Sequence, residues 1–416
     1  MLTKLDAVGF ASEAPEVVPL PVRKLLLPEL DHLAFDVYQT SRMYLACHMT
    51  SHLPDENQHW PAPCLELGWE HYYSDDYRET GWSPPGDSPI IPLQQLALHP
   101  ACCALHYGAA AFEGTKAFVS AKGRVVLFRI RDNARRLQKS ASRLLLPKVP
   151  VEMFLQAVAD TVLANREFIP PYRAANWAWE TRNPHCLYVR PVLIGHGPQL
   201  GVRPSKDHLF LIFVSPVRAY YPVEGMSVLI SSYFRRTAPG GTGGVKTAGN
   251  YAAGLLPAQL ARQGCDWVEG KPVKVSQHPF HDVLYLDARH GQYVEEFSGA
   301  NLLAVSTSGT LLCPESETIL PGITRASVMT LARDLGIPVE QRPLPVDELM
   351  DDRRITEVFC TGNAAVITPI VSLHYQGRTR KLTLEKYEIT RRLWQALVGV
   401  QLQTAEDRHG WVEEIG

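Results

Sequence analysis

One lysine of this chain lies in a segment unusually rich in glycine. The stretch "GGTGGVKTAGNY" (residues 240–251) places five glycines around Lys246 and follows it with Asn250 and Tyr251. Glycine lets the backbone approach a ligand closely and adopt positive φ angles. A lysine that such a loop holds partly out of water has its charged form disfavoured, so its neutral amine becomes available as a nucleophile. The pattern therefore indicates covalent chemistry between Lys246 and an electrophile such as an aldehyde.

Pyridoxal phosphate is the aldehyde that enzymes most often use in this way, and it makes three further demands on a chain. Its ring nitrogen needs a carboxylate, its phenolic oxygen needs a hydrogen-bond donor, and its phosphate needs arginine, hydroxyls and helix N–H groups. Candidates are the adjacent acids of "YVEEFSGAN" (293–301), the turn of "LPGITRAS" (320–327) and the arginines of "DNARRLQKSASR" (132–143). Each also has an ordinary explanation, namely a solvated loop, simple helix capping and a charged helix face.

Two phosphate-binding motifs resemble the glycine segment, and each differs from it at one position. A Walker A loop has glycine immediately before its lysine, where this chain has Val245. A dinucleotide fingerprint would place its third glycine at Lys246 itself. A nucleotide-binding protein is therefore an alternative, although the sequence offers no matching magnesium-binding acid. An isolated lysine can also be a solvated surface charge.

The composition is that of an ordinary globular chain long enough for two domains. Its 416 residues are 45% hydrophobic with a formal net charge of −2, unlike the strongly basic proteins that bind nucleic acid. Eight cysteines without a C-x-x-C pair favour reduced thiols over a metal site or disulfides. No apolar run reaches the roughly 18–20 residues of a membrane span. The first residues lack a signal-peptide core, so we expect a cytoplasmic protein, with a mitochondrial form as the alternative.

Strand and helix patterns alternate along the chain and predict a mixed α/β (α+β) fold. Residues 125–130, 186–195 and 208–217 have the β-branched and aromatic content of strands. Residues 151–169 form an amphipathic helix pattern that ends at Pro170. The predicted organisation is an extended lead-in (1–80), a small domain (81–217), a linker (218–226) and a larger domain (227–416). Residues 171–185 and 269–282 look like insertions and are expected to be surface loops.

Eight segments in fixed order resemble the branched-chain amino acid aminotransferases, most of all their eukaryotic form. The series runs "LHYGAAAFEGTKAF", "FRIRDNARRLQKSASRLLLP", "LYVRPVLIG", "SPVRAYYP", "GGTGGVKTAGNY", "EEFSGAN", "ILPGITR" and "TGNAAVITP". The resemblance covers the chain from about residue 80 to about residue 400. It implies a homodimeric fold-type IV enzyme with pyridoxal 5'-phosphate between two domains. It also implies that the chain moves amino groups between L-leucine, L-isoleucine or L-valine and 2-oxoglutarate.

The resemblance also implies roles for individual residues, and none of them is a metal ligand. Lys246 matches the lysine that bonds to the cofactor and moves the proton at the substrate Cα. The other cofactor-binding positions are Arg136 at the phosphate, Tyr251 at the phenolic oxygen, Glu296 (rather than Glu295) at the ring nitrogen, and Ile323, Thr324 and Asn363 around the phosphate. The substrate-binding positions are Tyr107 (from the second subunit), Phe112, Tyr188, Arg190, Tyr220, Gly299 and Ala364.

Two departures from the family leave alternatives open. Asn363 replaces a threonine that usually contacts the phosphate, and Gly299 replaces a threonine near the substrate in the eukaryotic enzymes. The loss of that hydroxyl loosens substrate choice or makes room for a larger side chain. A specialised aminotransferase with another amino donor is therefore the main alternative. Other enzymes of the same scaffold, which lack this motif series, and a non-catalytic binding protein on this fold are the remaining ones.

Overall fold

The computed structural model describes residues 33–49, 82–83, 88–94, 96, 98–182 and 184–416. Most of the predicted lead-in lies outside these residues. The strands in chain order are β1 (Arg42–Met49), β2 (Trp82–Ser83), β3 (Ile90–Pro92), β4 (Ala110–Phe112), β5 (Thr115–Val119), β6 (Val125–Phe128), β7 (Cys186–Gly195), β8 (Asp207–Val217), β9 (Met226–Ile230), β10 (Cys265–Val268), β11 (Lys271–Lys274), β12 (Asp282–Leu286), β13 (Tyr293–Phe297), β14 (Asn301–Ser306), β15 (Leu311–Pro314), β16 (Val339–Arg342), β17 (Leu344–Pro345), β18 (Ile355–Gly362), β19 (Val366–Tyr375), β20 (Arg378–Lys381) and β21 (Val412–Ile415). The helices are α1 (Cys103–Tyr107), α2 (Ile130–Arg143), α3 (Val151–Leu163), α4 (Gly249–Ala252), α5 (Leu255–Arg262), α6 (Ile323–Asp334), α7 (Val346–Leu349) and α8 (Glu388–Gln401).

The smaller half is built on an antiparallel sheet with the strand order β2-β1-β8-β7-β5-β6-β21. Helices α2 and α3 pack together, and α3 lies against β1, β7 and β8. Ile130, Ala134, Leu137 and Ala141 of α2 are buried at the three- and four-residue spacing of one helix face. Helix α3 ends at Leu163 and not at Pro170 as the pattern predicts, and a 3₁₀ turn (Arg166–Phe168) follows it.

The larger half is built on a mixed sheet with the strand order β16-β15-β14-β18-β19-β9-β12-β13-β17. Strand β9 pairs in parallel with both β12 and β19, and most other neighbours are antiparallel. Helices α6 and α8 pack on each other and on β18. Among the described residues, no helix combines the length and the apolar character that a bilayer crossing requires.

Two strands of the smaller sheet lie outside the boundaries that the sequence predicts for the small domain. Strand β1 belongs to the smaller sheet, where it pairs with β8, although the predicted lead-in includes it. Strand β21 pairs with β6 of the smaller sheet, although it falls within the predicted larger domain. The chain therefore returns to its first half at the C-terminal end of the described residues.

The prediction that residues 171–185 form a surface loop is only partly right, because the segment is irregular and exposed at its start but packs into the protein further along. Trp177 and Trp179 of this segment are buried. Trp177 lies 5.6 Å from Phe118, and Trp179 packs edge-on against Trp394 of α8 at 6.0 Å between ring centroids. Burial of these two large aromatic side chains favours packing of the segment against the neighbouring elements. In the other predicted loop, the hairpin of β10 and β11 carries exposed Lys271 and Lys274, whereas Phe280 and Asp282 are buried.

Two buried histidines, His196 and His208, and the half-buried His48 make the smaller half sensitive to acid. His48 and His208 are cross-strand partners in β1 and β8, with ring centroids 5.7 Å apart. Burial, together with the neighbouring His48, lowers the pKa of His208 to about 3. Burial lowers the pKa of His196 to about 4 and also lowers that of His48. The native chain therefore keeps these rings neutral at pH values where the unfolded chain protonates them.

We expect the protein to lose stability as pH falls from about 6.5 to about 4, at about 1.4 kcal/mol per pH unit for each buried histidine. The unfolded state binds more protons than the native state over this window, so acid favours unfolding. Urea midpoints at pH 7, 6 and 5 measure the effect, and the variant His208→Phe should show a shallower pH slope. The matched control is His278→Gln, because His278 is exposed. An unchanged slope in His208→Phe contradicts the assignment to His208.

Candidate active site

The lysine loop lies between the two sheets and is fixed by its backbone. The Lys246 N–H donates to Ser140 Oγ of α2 at 2.9 Å, and the Lys246 carbonyl accepts from the Phe112 N–H of β4 at 3.1 Å. Thr247 forms a bridge with Ala111 of the same strand. A side chain at Gly243 would collide with the Thr318 carbonyl. The close approach of the loop to its neighbours therefore requires glycine at this position.

The amine of Lys246 points into a cavity at the junction of the two halves. Its Nζ donates to the hydroxyl of Tyr251 at 2.9 Å. It also lies 4.6 Å from the ring centroid of Phe112. Both Lys246 and Tyr251 line the two adjoining parts of the cavity. The sequence-predicted pair of amine and phenol is thus brought together, with one aromatic face beside it.

The two adjacent acids of β13 point in opposite directions, as neighbours in a strand do. Glu296 lines the cavity. Glu295 instead accepts hydrogen bonds from Ser316 and Thr318. The Glu296 carboxylate receives Arg236 Nη2 at 2.6 Å, Asn301 Nδ2 at 2.7 Å and the Leu320 N–H at 3.2 Å. The carboxylate in the cavity is therefore held by three donors.

Burial raises the pKa of Glu296 to about 7, although Arg236 and the Leu320 N–H act to lower it. Asn301 connects this carboxylate to the turn before α6. Its Nδ2, which donates to Glu296, also donates to the Leu320 carbonyl at 3.0 Å. A side chain at Gly322 would collide with the Asn301 amide oxygen. The carboxylate and the turn before α6 therefore share one support.

The other end of the cavity has the features of an anion site. Gly322, Ile323 and Thr324 line it at the N-terminus of the 12-residue helix α6, where unpaired N–H groups favour negative charge. Arg136 of α2 lines the same end, and its Nε and Nη2 bind both oxygens of Glu113 at 2.8 and 2.7 Å. One nearly buried guanidinium is thus oriented by a fully buried carboxylate.

Asn363 is placed beside this anion site, but its amide is used within the protein. Its Oδ1 accepts from the Thr324 hydroxyl at 2.9 Å, and its Nδ2 donates to the Gly114 carbonyl. A threonine at this position would have to make both contacts through a single oxygen, whereas the longer amide of asparagine makes them with two separate atoms. Asn363, which departs from the family pattern, therefore connects its own turn to the N-terminus of α6 and to the residues after β4.

The second part of the cavity is walled by aromatic rings. It is lined by Phe112, Tyr188, Arg190, Tyr220, Gly299 and Ala364. Arg190 lies 4.8 Å from the ring centroid of Phe112, and its Nη2 donates to the Tyr188 hydroxyl at 3.2 Å. Its buried Nε has no hydrogen-bond partner among the described residues. The walls of this compartment are thus mostly aromatic and aliphatic, and Arg190 adds a cationic group whose Nε is free to donate.

The remaining predicted site residue is placed elsewhere, and two residues were missed. Within the described chain, Tyr107 does not line the cavity, since it is exposed at the end of α1 and its hydroxyl donates to the Leu200 carbonyl. Phe35 lines the aromatic compartment and packs edge-on against Tyr188 and Tyr220 at 5.0 and 4.8 Å. Arg236 contacts Glu296, as described above. The sequence signal for Arg236 is weak, namely its position shortly before the glycine segment.

The polar groups of the first compartment fit a flat cofactor with a phosphate at one end and a ring nitrogen at the other. The helix N-terminus and Arg136 form the anion end, Glu296 forms the carboxylate end, and Lys246 with Tyr251 lies in the same cavity. The buried Nε of Arg236 lacks a partner among the described residues. These groups match the three demands of pyridoxal phosphate stated from the sequence.

Comparison with known proteins identifies the family of the chain. The Amino-transferase class IV family model matches residues 110–373. A branched-chain-amino-acid aminotransferase of Mycolicibacterium smegmatis is 39% identical over 84% of this chain and 92% of its own. Branched-chain-amino-acid aminotransferase 5, chloroplastic, of Arabidopsis thaliana is 38% identical over 78% of this chain and 73% of its own. The branched-chain amino acid aminotransferase of Thermobaculum terrenum, solved in its PLP-form, superposes with a TM-score of 0.62 and 25% identity, covering 79% of this chain and 96% of that one.

The chain belongs to the class IV aminotransferases, and its fold is that of the fold-type IV enzymes. This confirms the resemblance inferred from the eight sequence segments. The family assignment also favours an enzyme over the nucleotide-binding alternative.

Proposed function

We propose that the chain transfers amino groups between L-leucine, L-isoleucine or L-valine and 2-oxoglutarate, with pyridoxal 5'-phosphate as its cofactor. The observation that carries the proposal is the position of Lys246, which lines both compartments of the cavity. One compartment offers the carboxylate and anion site that the cofactor needs. The other offers apolar walls and one arginine, which suit the amino acids.

The residues that would hold the cofactor are those of the first compartment. Arg136 and the N-terminus of α6 would bind the phosphate, Tyr251 the phenolic oxygen, and Glu296 the ring nitrogen. When bound, pyridoxal phosphate supplies an electrophilic aldehyde and a ring that withdraws electrons from the substrate Cα. Similarity to a relative solved in its PLP-form supports this choice of cofactor.

Lys246 would act as the base that moves the substrate Cα proton. The hydrogen bond to Tyr251 and the ring of Phe112 limit the directions in which its Nζ can point. The loop backbone is fixed to β4 and α2. A base fixed in this way needs little reorganisation when the proton moves.

The second compartment would accept two kinds of side chain in turn. The rings of Phe35, Phe112, Tyr188 and Tyr220 provide apolar surface for a branched aliphatic chain. The unpartnered Nε of Arg190 provides a charge-assisted donor for the carboxylate of glutamate or 2-oxoglutarate. One pocket can therefore serve both half-reactions.

A second candidate function is a specialised aminotransferase for a larger amino donor. Gly299 lines both compartments. A Cβ built at this residue meets no atom within 4 Å in the described part of the chain. The space that a threonine would fill is therefore open to substrate. This observation favours donors larger than leucine without changing the cofactor chemistry.

We also propose that the protein works as a homodimer in the cytoplasm. A group of large hydrophobic side chains is exposed on one part of the surface, namely Leu105, Tyr107, Leu200 and Val202. The Tyr107 hydroxyl donates to the Leu200 carbonyl and so connects the two chain segments that carry them. Exposed apolar groups of this kind mark protein interfaces. A second subunit on this surface would account for the predicted role of Tyr107, which faces away from the cavity of its own chain.

The choice of amino donor is tested by single-turnover reactions of the cofactor-loaded protein with a panel of donors. We expect L-leucine, L-isoleucine, L-valine and L-glutamate to convert the bound cofactor. D-Leucine should react at least about 10²-fold more slowly, because its Cα proton would face away from Lys246 if its other groups bound in the same places. The absorbance change of the cofactor measures each rate. L-Phenylalanine or a longer donor that reacts faster than L-leucine favours the second candidate. A protein that binds cofactor and reacts with none of them contradicts both.

A further inference from the structure

Arg236 is the charged side chain in closest contact with Glu296. Its Nη2 lies 2.6 Å from Glu296 Oε1, and both side chains are more than nine-tenths buried. The same nitrogen donates to the Thr318 carbonyl, and the buried Nε has no hydrogen-bond partner among the described residues. Arg236 also lines the cavity. The guanidinium is thus fixed on the carboxylate that faces the cofactor compartment.

The adjacent arginine has no such contact and provides a comparison within the chain. Arg235 donates through Nε to the Asp287 carbonyl at 3.1 Å, and through Nη1 to the carbonyls of Ser232 and Phe234 at 3.2 and 3.1 Å. It does not line the cavity in the described part of the chain. Two neighbouring arginines therefore serve different purposes, one at a backbone turn and one at a buried carboxylate.

Charged groups of both signs act on the pKa of Glu296. Arg236 and Lys246 are the cations that act on it, and Glu295 of its own strand is the anion that opposes them. The neutral donors are the Asn301 amide and the Leu320 N–H. Burial has the largest effect on the pKa of Glu296, and among the charged groups Arg236, which acts against burial, has the largest effect. In the proposed function, Lys246 instead reacts with the cofactor and moves the substrate proton.

We propose that Arg236 is a positioning residue that holds Glu296 as an anion and a weak base, so that the proton between Glu296 and the cofactor stays on the ring nitrogen. The inference rests on the proposed function, because it assumes that Glu296 faces the ring nitrogen of pyridoxal phosphate. Arg236 would act through Glu296 and would not touch the substrate.

The physical reason is a competition between two bases for one proton. A carboxylate in a buried site is a strong base, because burial disfavours its charge. A cation in contact with the carboxylate stabilises the anion and shifts its pKa downward by about one to three units. The proton then prefers the ring nitrogen by about 10- to 10³-fold more than it would without the arginine. Only a protonated ring withdraws electrons effectively from the substrate.

The experiment compares wild type, Arg236→Gln, Arg236→Lys and the matched control Arg235→Gln. Each protein is freed of cofactor and reloaded with pyridoxal phosphate carrying ¹⁵N in the ring, and the ¹⁵N chemical shift reports ring protonation between pH 6.5 and 8.5. Cofactor Kd and the single-turnover rate with L-leucine are measured on the same samples. The Gln variant preserves polarity and removes the charge, whereas the Lys variant preserves the charge.

We expect a protonated ring in wild type, Arg235→Gln and Arg236→Lys, and a largely unprotonated ring in Arg236→Gln. The single-turnover rate of Arg236→Gln should fall by about 10²-fold, while its cofactor Kd changes less than tenfold. A ring that stays protonated in Arg236→Gln overturns the inference. If that variant does not fold, Arg236→Lys remains decisive, because an unprotonated ring in a variant that keeps the charge also overturns it. If the wild type itself binds no cofactor or does not react with any L-amino acid, the proposed function fails instead.

Discussion

Replacing Lys246 with alanine is expected to lower the transamination rate by about 10⁴-fold or more. In the proposed function, the substitution would remove both the nucleophile for the cofactor and the base for the Cα proton. In the described residues, the other groups that line both compartments are Tyr188, Tyr251, Gly299 and Ala364, and none of them carries an amine. A large loss is therefore expected even if the cofactor still binds through its phosphate.

Two measurements on purified protein assign the role to Lys246 directly. Borohydride treatment of the wild type should fix the cofactor to one peptide, and mass spectrometry should place it on Lys246. The variant should bind cofactor reversibly and should not retain it after the same treatment. Lys139→Ala is the matched control, because Lys139 is an exposed lysine on α2, the helix that contacts the loop of Lys246. Normal transamination by Lys246→Ala would show that another group does this chemistry.

The sequence predicts best those parts of the site that lie close together along the chain. Lys246 and Tyr251 belong to one segment, and their side chains are in contact at 2.9 Å. Strand alternation gives a physical reason to separate Glu296 from Glu295, since a regular strand sends neighbouring side chains to opposite sides. The turn before Thr324 also lies where its Pro-Gly sequence and helix pattern indicate. In each case a few adjacent residues decide the geometry.

Residues that reach the site through tertiary packing could not be predicted in the same way. Phe35 lies far from the motifs in sequence, and it is placed by contacts such as the Tyr38 N–H with Ser215 Oγ of β8 at 2.9 Å. Arg235 and Arg236 are adjacent and identical, so the sequence cannot show which of them faces Glu296. That choice depends on the backbone path after β9 and on the positions of Asp287 and Thr318. Composition and spacing do not contain this information.

The fold was predicted in its class but not in its boundaries. Strand and helix patterns describe single elements well, such as β7 over the predicted range of residues 186–195. Pairing between distant strands is a separate property, and the pairing of β21 with β6 has no local signal. The burial of Trp177 and Trp179 likewise depends on space left between elements distant in sequence. A predicted loop that contains large aromatic residues should therefore be expected to pack against the core.

Changing Glu296 to glutamine is expected to reduce kcat by about 10³-fold while changing cofactor Kd less than tenfold. Glutamine has the same shape and can accept the hydrogen bond from Asn301, so the support of the turn before α6 should remain. It has no negative charge, so it cannot hold a protonated ring nitrogen. The cofactor should therefore bind and fail to withdraw electrons. Steady-state kinetics and a cofactor titration of the same preparation separate these two effects.

Glu295→Gln is the control that makes this prediction specific. It removes the same charge from the adjacent residue of the same strand, but from the side that faces Ser316 and Thr318. Its kcat should stay within about threefold of the wild type, because exchange of a carboxylate distant from the reacting atoms changes little beyond local packing. Equal losses in the two variants would mean that the strand as a whole, and not the carboxylate of Glu296, supports catalysis. A loss confined to Glu295→Gln would reverse the assignment of the two acids and, with it, the role inferred for Arg236.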